Sequence, residues 1–473
     1  MAEVRVPAGV VAPTREDPLV AAMSPVVGGP TGRRVGAGRH GWWNAVRVLV
    51  VLSMAVLALG VVEKQHCRAQ GWTTPDQFWH ACYSDLPIVY QSAGLRSGLS
   101  PYVADGAQLD HPVLTGLTMW AMSTMVPAGD VLAQTRWYFD LGTVLVAVLL
   151  VALVGLTAAS AGRRRPWDAA LVAVCPLIAL SALVSIDLLG VTLASAGLLA
   201  WARRRPVAAG VLLGLAVAAR TYPAVLVLVL GLLALRAGRL RAWAVTAGAC
   251  VLTTLVVVLP LVLRDAGAVL STYRSWSGSP AGYGSLWLLP QTLFADPRPR
   301  WMTSLGLGPT TWPAGAVTTL AVAGVLLALA AGAALALGAR RRPRVAQLAF
   351  VVLAIVVITG KSWPVQASLW LLPLAALAHP RWRDHLVWVG TEAAYFVAVW
   401  LYIAAGTSAD RGLPATWYSV FVLARTAGLL WLVWCVVREI RRPEHDVVRR
   451  DGTDDPLGGP LEGAQDAVVL KLV

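Results

Sequence analysis

Charge is what this chain has least of. Only 14% of its 473 residues are Asp, Glu, Lys or Arg, against 57% that are hydrophobic; a soluble domain carries about 25% charged and about 45–50% apolar residues. That shortage excludes an ordinary water-exposed globule. Cysteine is scarce as well. Five cysteines are too few for a disulfide framework, and no Cys/His spacing has the pattern of a zinc site, so neither metal nor cofactor is expected. Cys175, Cys250 and Cys435 fall inside apolar runs and read as packing residues. Cys67 and Cys82 share one polar interval, where a single disulfide can form in an oxidising compartment. Acidic residues are outnumbered, 25 to 39, leaving a net charge of +14. This excess does not point to nucleic acid, because the arginines stand in short clusters at the ends of apolar runs, at 163–165, 203–205, 236–241, 340–342 and 438–442. Such clusters mark cytoplasmic loops.

What the chain has in abundance is long apolar runs, many of a length that crosses a hydrocarbon core of about 30 Å. The pattern predicts an all-α polytopic membrane protein, multi-pass in the cell membrane, with about 12 (11–13) transmembrane helices. The expected spans are 46–62, 139–159, 169–184, 188–201, 207–219, 224–235, 243–263, 314–337, 345–359, 365–378, 386–403 and 417–437. Several are short, so broken or half-length helices are expected. Residues 1–41 and 441–473 read as disordered cytoplasmic tails around a transmembrane domain at 42–440. With every arginine cluster inside, each interval between clusters holds an even number of crossings, provided 112–126 does not cross. That segment reads either as a re-entrant or interfacial helix or as a span that breaks the rule. The loops 63–112 and 264–313 then lie outside, with the turns at Asp187 and Lys361.

The interval 63–112 is the first long stretch where charged, aromatic and turn-forming side chains can converge outside the hydrocarbon. It contains Ser84-Asp85-Leu86-Pro87-Ile88-Val89-Tyr90, then Pro101-Tyr102 and Asp110-His111-Pro112. Asp85 is the candidate general base. Ser84-Asp85-Leu86-Pro87 also has the residue types of a helix start, which would make Asp85 a cap, and Asp110 could cap the helix after Pro112. Tyr90 and Tyr102 read equally as interfacial aromatics. Ionisable residues in or beside apolar runs are costly and mark function by default; Asp187, Arg220, Lys361, Glu392 and Arg425 are in this class, with ion pairing inside the bundle as the structural alternative. The 264–313 loop carries aromatics such as Trp276 and Trp287, which can stack on sugars or anchor at an interface.

Ser84-Asp85-Leu86-Pro87-x-x-Tyr90, with Gly94, Gly98, Pro101-Tyr102 and Asp110-His111-Pro112, resembles the first outer loop of glycosyltransferase family 87. Lys361, Gln366, Trp370 and Pro373 are similar in order to that family's Lys…Ser-Pro-Gln-Tyr…Trp…Pro segment. Arg220-Thr221-Tyr222-Pro223 resembles its Lys/Arg-x-Tyr-Pro, and Asp187 stands where an Asn-x-Asp-Leu-type turn occurs. The resemblance runs in order through most of 42–440. It departs at Pro364-Val365 in place of Ser-Pro, at Ala367 in place of Tyr, at Gly360 where Asn is common, and at His111 where an aromatic is more usual.

The resemblance implies a GT-C-like bundle and an extracytoplasmic site that takes a sugar from a polyprenyl-phosphate donor and gives it to a cell-envelope glycan or glycolipid acceptor. Mannose is the first expectation for the sugar and arabinofuranose the second. Asp85 would be catalytic. Tyr90, Tyr102, Asp110, His111, Asp187, Arg220, Tyr222, Lys361, Gln366, Trp370 and Glu392 would bind substrate. Arg220 and Lys361 are the expected phosphate clamp. The competing reading is a transporter or lipid flippase, which the same span count suits; no internal repeat of the Asp85 loop or the Lys361 turn supports it.

Overall fold

The computed structural model describes residues 10–32, 44–295, 300–306, 308–407, 411–450 and 452–470. Among them the chain is α-helical, without a named strand. Six helices are long and apolar enough to cross a membrane: Ala45–Gln70, Val131–Ala161, Leu240–Arg264, Ala314–Gly338, Trp382–Ala405 and Ala415–Arg441. Six more apolar helices are shorter: Val113–Ser123, Leu188–Ala202, Pro206–Ala219, Pro223–Arg236, Val345–Ile358 and Ala367–Ala378. Val345–Ile358 and Ala367–Ala378 are buried almost all round, so they form the centre around which the longer helices stand.

Three boundaries differ from the sequence reading, each for a local reason. The first apolar run ends at Val62, but its helix continues for two further turns to Gln70 and stops at Gly71, whose left-handed φ of 77° closes the cap. Arg68 holds that extension with two hydrogen bonds to Asp140, of 2.9 and 2.6 Å, and Arg136 donates to the carbonyls of Arg68 and Ala69. The expected span 169–184 is broken into Ala170–Ala173 and Pro176–Ser181, because Pro176 has no N–H to continue the ladder. Val113–Ser123 has 11 residues, about 16 Å of helix, which is too short to cross alone.

One end of the bundle gathers the arginines. Arg344 makes a bidentate pair with Asp446, at 2.7 and 3.1 Å, while donating to the carbonyls of Leu377 and Ala378. Asp466 binds Arg236 at 2.7 Å and Arg342 at 3.4 Å. Arg341 meets Asp454, Arg204 meets Glu462, and Arg165 meets Glu16 and Asp168. The segment after Pro443, read from sequence as a disordered tail, lies as a strap across that end, with its own Leu457 and Leu461 buried against the bundle. The reading of 1–41 changes in part. Residues 1–9 and 33–43 lie outside the described residues, but Pro18–Gly32 is helical, its start capped by Asp17, which also accepts from the Trp382 amide.

Candidate active site

The opposite end of the bundle carries the Asp85 loop. Phe78 and Tyr83 stack against Trp400 near the far end of the Trp382–Ala405 helix, about 24 Å along the axis from Asp384. A disulfide between Cys67 and Cys82 ties the loop to the first long helix. Two hydrogen bonds then seat the next residues on the interhelical link at 182–187: the Ser84 hydroxyl donates to the Leu183 carbonyl and the Asp85 amide to the Val184 carbonyl, both at 2.7 Å. The same link carries Ser185 and Asp187, which brings residues 100 positions apart into one place.

Ser84, not Asp85, caps the Asp85–Ser92 helix, its hydroxyl accepting from the Leu86 amide. The Asp85 carboxylate is left for other work. It keeps partial exposure although protein surrounds it, and it accepts a hydrogen bond of 2.8 Å from the Tyr83 hydroxyl. Burial pushes its carboxyl up, Tyr83 pulls it down, and Asp187 on one side and Arg220 and Lys64 on the other adjust the balance to about 6. A base poised just below working pH suits proton abstraction.

Asp187 has no spare oxygen. Ser185 donates to one and Trp370 to the other, at 2.5 and 2.6 Å, and the Arg220 guanidinium also sits on the first. With its side chain fully buried, Asp187 orients Arg220 instead of meeting solvent. Tyr222 stacks on Trp370 with ring centres 5.1 Å apart and planes 9° from parallel, closing the cluster. Arg220 ends the Pro206–Ala219 helix in an extended conformation, and Pro223 starts the next helix two residues after Thr221. The chain thus turns sharply, with the guanidinium 18% exposed and Nε without a hydrogen-bond partner. Gly190 lies against this arginine's stem; a Cβ there would come within 3.1 Å of it.

His111 stands between this cluster and the rim. Burial and Arg220 hold its ring down to about 4, so it is neutral at pH 7, and Nδ1 has no partner. Asp110 next to it is exposed and accepts from the Ser275 hydroxyl at 3.0 Å; Pro112, not Asp110, occupies the cap position of the following helix. Tyr102 donates to the His111 and Pro112 carbonyls and so shapes the loop. Gln366 begins the helix that carries Trp370 one turn later, on the same face.

Three expected site residues are placed elsewhere. Tyr90 is buried and stacks on Tyr138 at 4.4 Å, a packing role. Lys361 does not join Arg220 in a clamp. Its ammonium donates to the Trp276 and Ser277 carbonyls and the Thr318 hydroxyl, at 2.7, 3.2 and 2.8 Å, which caps the Ala266–Gly278 helix and uses all three protons. Glu392 is locked in a buried pair with Arg425, whose remaining donors go to the Trp363 and Pro364 carbonyls. Lys64 is the residue that sequence reasoning missed. It is fully buried, 3.0 Å from Glu63, and is one of the charges acting on Asp85. The Glu63-Lys64 pair at the close of an apolar run was the available signal.

Among the described residues two groups have metal-ligand composition, His66 with Asp76 and His80, and His379 with Asp384 and Cys435, the ligand atoms of each group within 4.8 Å of one another. The first group falls within residues 66–80, whereas Cys435 of the second comes from a distant helix; neither includes Asp85, Asp187 or Arg220.

No family model and no curated protein matches the chain. Among solved structures, the apo form of the oligosaccharyltransferase of Archaeoglobus fulgidus is similar at 11% identity with a TM-score of 0.40. The same archaeon's oligosaccharyltransferase AglB, in complex with an inhibitory peptide and a dolichol-phosphate, is similar at 12% identity with the same TM-score. Each match covers 84% of this chain and 56% of the other, so the chain spans little more than half the length of the structures it matches.

Proposed function

We propose that this chain is a GT-C-like membrane glycosyltransferase. It takes a sugar, mannose before arabinofuranose, from a polyprenyl-phosphate donor and transfers it to a glycan or glycolipid acceptor on the extracytoplasmic face. The observation that carries the reading is the pairing of a half-buried carboxylate, Asp85, with an oriented guanidinium, Arg220, at the end of the bundle opposite the arginine clusters. The positive-inside rule makes the arginine-rich end cytoplasmic, which sets Asp85 outside.

The two groups divide the chemistry. An acceptor hydroxyl attacks the anomeric carbon and gives its proton to Asp85. The bond from that carbon to the phosphate oxygen breaks on the opposite face, and its electron pair leaves with the phosphate. Charge that builds on this oxygen meets the exposed edge of Arg220, while Asp187 holds its Nη2. One displacement inverts the anomeric centre. Tyr222 and Trp370 fix the clamp, and neutral His111 adds no charge beside it. Asp110 and Tyr102 border the acceptor approach. The phosphate is already a competent leaving group, so the residues named suffice for the step.

The test is transfer of radiolabel from polyprenyl-phosphate mannose, and in parallel from polyprenyl-phosphate arabinofuranose, to a panel of envelope glycans in membranes carrying the protein. Asp85→Asn keeps the side chain's size, and Ser84 still caps the helix. We expect normal insertion, retained donor binding and about 10²–10⁴-fold slower transfer. Near-normal transfer in Asp85→Asn would remove the base from this position, and loss in Asp110→Asn alone would move it there.

A further inference from the structure

The arginine-rich end holds a second cavity, of about 330 Å³, between the start of the Trp382–Ala405 helix and the end of the Ala415–Arg441 helix. Its rim is Arg381, Arg383, Arg438 and Arg450, with Trp431 and Trp434 on the outer side. The four arginines face two lining carboxylates, Asp384 and Glu439, so positive charge is in excess by two before His379 and His445 are counted. The two carboxylates are already engaged. His379 lies between them, 3.1 Å from Asp384 and 3.0 Å from Glu439, and Arg381 approaches Glu439 at 3.5 Å. Arg383 reaches Asp384 yet remains 75% exposed, and Arg438 lies over the Trp434 ring at 5.6 Å. The surplus charge therefore sits at the mouth, facing outward.

The surface beside the mouth is apolar. Trp434 is 51% exposed, and Leu430 and Leu423, four and eleven residues before it on the Ala415–Arg441 helix, are 49% and 45% exposed. Spacings of four and eleven residues return to one face of a helix, so these side chains form a stripe running from the cavity toward the middle of a spanning helix. An anionic group in the cavity and two acyl chains along the stripe is the shape of one kind of molecule.

We propose that this cavity binds the headgroup of an anionic phospholipid of the cytoplasmic leaflet, with its acyl chains along Leu423, Leu430 and Trp434. Arginine forks match phosphate geometry, tryptophans sit at the headgroup level, and basic pockets between transmembrane helices on the cytoplasmic side recognise acidic headgroups. The site is separate from Asp85 and independent of the reaction assigned to it.

The measurement is lipid retention by native mass spectrometry on detergent-purified, delipidated full-length protein, offered vesicles of phosphatidylcholine alone or phosphatidylcholine with phosphatidylglycerol. Wild type should retain one phosphatidylglycerol in preference to phosphatidylcholine. The double variant Arg383→Gln/Arg438→Gln should lose this preference by roughly tenfold or more, with thermal unfolding in pure phosphatidylcholine as the check that it folds. Arg204→Gln, an exposed arginine at the same end, should retain lipid like wild type. Equal retention of both lipids overturns the proposal. So does an equal loss in Arg204→Gln, which would show a diffuse attraction of the whole basic end. Glycerol phosphate competing as strongly as the lipid would assign the cavity to a soluble phosphate and overturn the lipid assignment as well.

Discussion

Two of the arginine–carboxylate pairs inside this bundle, Arg425–Glu392 and Arg220–Asp187, differ in how far the arginine is closed in. Arg425 is fully buried, with Nε and Nη2 on Glu392, Nη1 on the Trp363 carbonyl and Nη2 also reaching the Pro364 carbonyl. Trp363 and Tyr395 cover its faces, with the guanidinium carbon 4.1 and 4.2 Å from the ring centres. Arg220 has the same kind of partner in Asp187, which Trp370 also holds, but its side chain is 18% exposed and its buried Nε is unpaired. A closed pair holds backbone; an open pair keeps surface with which a ligand can be held. Residue type and position beside an apolar run are alike for both, so only the count of filled donors separates structure from site.

The comparison is broken most directly by removing each arginine. Arg425→Leu leaves Glu392 charged and buried without its partner, a loss of about 3–5 kcal/mol, read as a collapse in folded yield and thermal stability. Arg220→Leu removes the countercharge of buried Asp187 but leaves it two donors, Ser185 and Trp370; we expect a smaller loss of stability than in Arg425→Leu and transfer slower by about 10²–10³-fold. The reverse pattern would exchange the two roles. Next in size is Lys361→Met. Three hydrogen bonds from an ammonium to a helix end are lost, so stability should fall by about 1–3 kcal/mol while donor affinity stays as in wild type. Weakened donor binding with unchanged stability would return Lys361 to a phosphate clamp.

The smallest effect sharpens the assignment of the base. With the Asp85 carboxyl near 6, transfer should rise with pH through that region and level off above it, because the ionised form is the active one. The Tyr83 hydroxyl favours the ionised form. Tyr83→Phe should therefore move the rising limb to higher pH and lower transfer at pH 6 by about two- to threefold, with the plateau little changed. A limb that stays in place would mean that another group titrates there.

How much of this was legible in the sequence follows from what each signal measures. Apolar run length finds helices that face lipid, and it located the six long ones. It cannot find where a helix ends beyond the lipid, so the turns carrying Lys64 were assigned to a loop. The order Asp85, Asp187, Arg220, Trp370 was readable as a set of motifs. Their convergence was not, because it depends on hydrogen bonds from Ser84 and Asp85 to the carbonyls of Leu183 and Val184. Lys361 shows the opposite failure. A basic residue beside an apolar helix looks the same whether it faces a substrate or another helix's last carbonyls. The tail misled for a related reason: glycine, proline and aspartate suit disorder, yet Asp446, Asp454 and Asp466 are placed to meet arginines that lie more than a hundred residues earlier.

That strap has a consequence in time. The arginine clusters act on topology while the chain is being inserted, when the residues that will neutralise them have not yet been made. Arg236 and Arg342 then remain bare cations held back by the membrane until Asp466, 230 and 124 residues further along the chain, is made and binds both. The same side chains thus serve first as orientation signals and afterwards as anchors. A chain interrupted between Arg342 and Asp446 would be threaded and still unlatched.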